Sequence, residues 1–129
     1  MKIYYAHHQF KYDTKVEDYE LDMIRIYHAS SDEIINPSEV INRYDTETNI
    51  MRHCVSLVMD CDELIFSSMD GVIGIGVYTE VMTALALGKP VYYIYQDHLT
   101  DKFQIKPNRY SGSDRTFAIV ETNIGGSNT

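Results

Sequence analysis

The stretch LIFSSMDGVIGIGVYTEVMTALALGKPVYYIY, residues 64–95, decides the fold. It opens with Leu64-Ile65-Phe66, a continuous apolar run of the kind a strand shows when both faces of a parallel sheet are covered. Met69 to Gly76 reads as a loop punctuated by Gly71, Gly74 and Gly76. Thr79 to Leu87 is a strong helix, halted by Gly88 and followed by Pro90. Val91-Tyr92-Tyr93-Ile94-Tyr95 is the next strand. Strand, glycine loop, helix and strand in that order make a βαβ unit.

The same alternation extends toward the start of the chain. Lys2 to Ala6 is rich in β-formers and ends where His7-His8 begin a polar stretch. Thr14-Lys15-Val16-Glu17 has the form of a capping box, so a helix is expected to start there. Val16, Tyr19, Leu21, Met23, Ile24 and Tyr27 recur through it with helical spacing, and Ser30-Ser31-Asp32 breaks it. Glu33-Ile34-Ile35-Asn36, closed by Pro37, is a second short strand. Pro37 to Thr48 reads as a loop with room for a helical turn. Ile50 to Met59 is a second helix, with Met51, Cys54, Val55, Val58 and Met59 on one face. Beyond Tyr95, Gln96 to Asp114 is irregular by pattern and Thr116 to Glu121 has the composition of a fifth strand. The expected organisation is one α/β domain over residues 1–122 with a flexible tail at 123–129. Its ligand crevice should lie beyond the carboxyl ends of the strands, bordered by the His7-His8 loop and the Met69–Gly76 loop.

Composition narrows the function classes. The chain has 129 residues, 44% of them hydrophobic, a net charge of −8, and a sequence pI near 4.9. An acidic surface without a Lys/Arg-rich run repels phosphate backbones and anionic lipid, so neither duplex nucleic acid nor membrane is an expected partner. Cys54 and Cys61 stand a helical span of roughly 10 Å apart, too far for a disulfide, and no Cys/His spacing fits zinc. Free thiols and a start that reads as a strand rather than a signal peptide point to the cytoplasm. Neither a metal nor a cofactor is expected. A domain of this size has much surface for its volume, which favours pairing with a second copy.

The residues with chemical promise sit around the glycine loop. Backbone at Gly74 and Gly76 can approach a ligand closely, and a helix start offers free N–H groups to a phosphate or sugar hydroxyl. Glu80 falls in or near that helix's first turn, where the dipole favours the ionised form. Such a carboxylate can attack a ribose C1′ or stabilise an oxocarbenium-like transition state. The same position also suits an acid that merely complements its helix.

Gly76-Val77-Tyr78-Thr79-Glu80 followed by Ala84-Leu85-Ala86-Leu87-Gly88-Lys89-Pro90-Val91 resembles the G-x-x-x-E…A-x-x-L-G-K-P-V segment of the nucleoside 2-deoxyribosyltransferase family. Ile3-Tyr4-Tyr5-Ala6 resembles the family's opening strand, and Asp62 the aspartate of its S-D-x-V/I-x-A element. The resemblance covers most of residues 1–95. It implies a flavodoxin-like doubly wound sheet of about five parallel strands with helices on both faces, and a homodimer or larger homo-oligomer. It also implies that Glu80 is the nucleophile and that the Tyr4 hydroxyl orients it. Ala6, His7, Ser67, Asp70, Gly74, Gly76 and Tyr78 are then the residues expected to contact a nucleoside or nucleotide. Tyr78 is the ring placed to stack on a base.

The sequence also departs from the family. Gly74 stands where the family carries a base-handling acid, and His53-Cys54 where it carries a second; Asp70 is a substitute from the same loop. Keeping the nucleophile while losing the leaving-group machinery points to a changed substrate, to hydrolysis in place of transfer, or to a protein that sequesters a nucleotide without cleaving it. His53 is a candidate proton donor to a leaving base. Lys106, Arg109 and Arg115 suit phosphate contacts, a partner subunit or plain surface charge.

Overall fold

A computed structural model describes residues 1–28, 32–69, 73–97 and 102–108. Within them five strands form a single sheet in the order β2-β1-β3-β4-β5: β1 (Lys2–Ala6), β2 (Glu33–Ile35), β3 (Glu63–Phe66), β4 (Val91–Asp97) and β5 (Lys102–Asn108). β2, β1, β3 and β4 are mutually parallel. This is the α/β, flavodoxin-like arrangement, with the order of connections reversing between β1 and β3. β5 runs antiparallel along β4, pairing Val91 with Asn108 and Asp97 with Lys102. The edge strand thus lies inside the stretch expected to be irregular, and it closes by a short return instead of a crossover. The strand expected at Thr116–Glu121 and the tail at 123–129 lie outside the described residues, as do Arg109 and Arg115.

Side-chain alternation along the central strands builds two cores. Tyr4 and Ala6 of β1, with Leu64 and Phe66 of β3, face α3 (Glu47–Asp60) and α4 (Ile75–Ala86). Ile3, Tyr5 and Ile65 face α1 (Lys15–Tyr27), which contributes Leu21 and Ile24. A four-residue helix, α2 (Pro37–Val40), is capped by Asn36, whose side chain accepts from the Ser38 N–H at 3.0 Å.

Local chemistry sets the helix ends. Thr14 Oγ1 accepts from the Glu17 N–H at 3.3 Å, as the capping pattern anticipates. Glu17 does not return the bond to Thr14; its carboxylate accepts from the Asp13 N–H at 3.2 Å and turns inward. α4 begins at Ile75, four residues before the expected start, so Gly74 is its N-cap and Gly76 lies in its first turn. At its far end Gly88 takes φ +70°, the left-handed conformation that glycine adopts without strain. Lys89 then reaches across to donate to the carbonyls of Val58 at 2.9 Å, Met59 at 2.6 Å and Cys61. A cation therefore satisfies the last turn of α3. The Gly-Lys-Pro segment is a scaffold device.

Candidate functional site

Between the exit of β1 and the N-terminal halves of α3 and α4 lies a cavity of about 630 Å³, within the size range of small-molecule sites. The segment after β1 supplies Gln9, Phe10 and Tyr12. α3 supplies its first turns, down to Met51 and Cys54, and α4 supplies Ile75, Gly76, Thr79 and Glu80. Ile41 and Arg43, between α2 and α3, complete the wall.

Glu80 is the chemical centre of this cavity. Only 1% of it is exposed, and the buried Tyr4 hydroxyl donates to its Oε2. Oε1 is buried with no hydrogen-bond partner among the described residues. With α4 starting at Ile75, Glu80 sits in the second turn, so it neither caps the helix nor belongs to its first turn. The expected ionisation by the helix dipole is corrected accordingly: burial dominates and pushes the carboxyl up to about 8, with the Tyr4 hydrogen bond pulling weakly the other way. Tyr4 is in turn held far above the ordinary phenol range, first by burial and then by the neighbouring Glu80. Burial also drives the Cys54 thiol up to about 12, which keeps it protonated. Burial thus favours the neutral acid form of Glu80, whose Oε1 has no partner among the described residues, beside an open volume.

The other residues singled out from sequence divide between this site and elsewhere. Gly76 forms part of the cavity wall, and Ala6 lies buried beside Tyr4 in the same core. Gly74 caps α4, and Tyr78 packs half-buried against the core without forming cavity wall. Asp70 lies outside the described residues. His7 and Ser67 belong to the opposite side of the sheet. His7 is fully buried, its ring stacked on that of Tyr5 at 3.8 Å. Its Nδ1 donates to the Tyr5 carbonyl at 3.1 Å and its Nε2 meets Glu17 Oε2 at 2.6 Å, so one proton lies between imidazole and carboxyl. Burial lowers the affinity of His7 for that proton. Ser67 Oγ donates to Glu20 Oε1 at 2.7 Å and accepts from Lys11 Nζ at 2.9 Å. Neither residue is placed to touch a ligand at Glu80. The reason is the strand's period of two, which sends Tyr5 and His7 to the face opposite Tyr4 and Ala6. His53 is exposed on α3, and Asp62 accepts from the Lys2 N–H at 2.7 Å.

Phe10, Tyr12 and Arg43 are site residues that the sequence reading passed over. Arg43 Nη1 donates to Asp13 at 2.8 Å and Nη2 to the Ser38 carbonyl at 2.9 Å, and its guanidinium lies 5.3 Å from the centroid of the Tyr12 ring. The available signal was weak: one cation and two aromatics in polar stretches with no periodicity.

No protein-family model matches the chain, and no curated protein matches it significantly. It is similar to a solved structure described as a conserved protein from Enterococcus faecalis V583, with a TM-score of 0.64 and 27% identity. The match covers 76% of this chain and 65% of that one, so this chain spans about two thirds of its length. The likeness supports the α/β fold. Among the described residues no helix is long and apolar enough to cross a membrane, and no group of three or more His, Cys, Asp or Glu side chains could hold a metal.

Proposed function

We propose that the cavity binds a nucleoside or nucleotide and that Glu80 acts on its N-glycosidic bond. The observation that carries this reading is the unpartnered, buried Oε1 of Glu80 beside an open volume, with its companion oxygen fixed by Tyr4. A carboxylate held this way can attack C1′ or stabilise the positive charge that develops there as the base departs. Desolvation makes the ionised form costly, and that cost falls when a cationic sugar ring forms alongside. The resemblance of the glycine–glutamate segment to nucleoside 2-deoxyribosyltransferases supports the same assignment. Base exchange through a glycosyl-enzyme intermediate and hydrolysis to free base differ only in what accepts the sugar.

The test is to incubate the protein with deoxynucleosides and their 5′-monophosphates and to follow free base. Release faster than that of Glu80→Gln supports the reading, and equal rates defeat the enzymatic part of it.

One observation favours a second reading. Glu80 is almost fully buried, which favours its neutral form, and a neutral carboxyl donates a hydrogen bond, which suits holding a nucleotide rather than cleaving it. A nucleotide bound tightly and recovered intact after long incubation would select this sequestering role.

A further inference from the structure

We propose that the cavity selects the phosphorylated form of its ligand, a nucleoside monophosphate, and that Arg43 receives the phosphate. This rests on the nucleoside or nucleotide reading of the Glu80 site and names which of the two ligand forms the cavity prefers.

Among the described cavity residues Arg43 is the one cation. Phe10, Ile41, Ile50, Met51 and Ile75 make much of the remaining wall and offer an anion nothing. On a chain of net charge −8, a phosphate is repelled unless a local cation offsets the field. Arg43 is held ready for that task. The Ser38 carbonyl fixes one end of its guanidinium and the Tyr12 ring lies beneath it, yet its side chain keeps 45% exposure. Among the described residues, two of its five N–H groups are committed, to Ser38 and Asp13.

Asp13, which is not part of the cavity lining, takes one of the guanidinium's N–H groups. That pair is exposed, with the Asp13 side chain at 70%, so it is weak and readily exchanged. Glu80 supplies the independent sign that this cavity receives a ligand, through its unpartnered buried oxygen. The cavity is therefore graded: a buried carboxyl with an unpartnered oxygen in the interior, and a solvent-reachable guanidinium toward the outside.

The experiment is calorimetric titration of each 2′-deoxynucleoside and its 5′-monophosphate against wild type, Arg43→Gln and Asp13→Asn. Wild type should bind the monophosphate of the preferred base about tenfold more tightly than the nucleoside, as expected for one added charge-assisted contact. Arg43→Gln should close that gap. Asp13→Asn removes the competing anion at a position with φ +63°, which asparagine tolerates, and should widen the gap. Loss of that widening when Arg43→Gln is added ties the effect to the guanidinium rather than to the removed charge alone. Equal wild-type affinity for the two forms, or a gap unchanged in both variants, overturns the assignment and leaves the nucleoside reading standing. Failure of wild type to bind any nucleoside or monophosphate overturns both.

Discussion

Two tyrosine–glutamate pairs sit back to back across β1, and they have opposite fates. On one face Tyr5 donates to Glu20 Oε1 at 2.5 Å. That carboxylate also accepts from Ser67 and, through Oε2, from Lys11 Nζ at 2.9 Å. Lys11 in addition reaches the Ser68 carbonyl at 2.8 Å, so Glu20 is neutralised and fully enclosed. On the other face Tyr4 donates to Glu80, and no cation among the described residues hydrogen-bonds or ion-pairs with it. The same two side-chain types, one residue apart on a strand, give a charge-paired brace on one side and a carboxyl with an unpartnered oxygen on the other. What separates them is whether a counter-ion is present and whether the second oxygen has company.

The contrast is most severely tested by Glu80→Gln. Base release should fall by about 10²–10⁴-fold, the range for loss of a positioned catalytic carboxyl. Stability should respond in the opposite sense. The native state holds the Glu80 proton up to a pKa of about 8, well above the ordinary value of 4.5. Wild type therefore loses stability relative to the variant as pH rises through that window. Urea midpoints of both proteins from pH 5 to 9 would show it; parallel curves would mean that Glu80 is not buried as an acid.

On the other face, Lys11→Met leaves Glu20 buried without its cation and should cost about 3–5 kcal/mol of folding free energy. The double change Lys11→Met with Glu20→Leu should recover much of this. No recovery would show that the brace has a role beyond charge pairing.

Tyr4→Phe should lower base release about tenfold and move its dependence on pH. Activity that needs ionised Glu80 rises with pH through about 8, and losing the Tyr4 donor moves that rise upward. An unmoved profile would remove Tyr4 from the mechanism. The smallest effect belongs to Tyr5→Phe, about 1 kcal/mol of stability with base release unchanged, because Glu20 keeps Lys11 and Ser67.

The sequence was most legible where periodicity and punctuation agree. The runs at Leu64–Phe66 and Val91–Tyr95, the capping pattern at Thr14 and the Gly88 stop each settle a local conformation by themselves. Glu80 and Tyr4 could be paired only through a resemblance, because 76 positions separate them and no local rule links them. Helix α1 misled for a physical reason. Its apolar residues are spread over more than one stripe, and the structure buries Glu17, Glu20, Leu21 and Ile24 while leaving Val16, Tyr19, Ile26 and Tyr27 outside. Acids on the inner face look wrong until Lys11 and His7, which come from outside the helix, are known to meet them. The start of α4 was placed late because glycines read as loop, although Gly76 packs inside a helical turn. β5 was hidden by Pro107, which an edge strand tolerates.

The clasp made by Lys89 also determines how the cavity can breathe. It ties the last turn of α3 to the turn after α4, whereas both helices meet the cavity with their opening turns. Two rods pinned together at one end can part only at the other, as the arms of tweezers do. The opening turns around the cavity are thus the less restrained ends of the two helices.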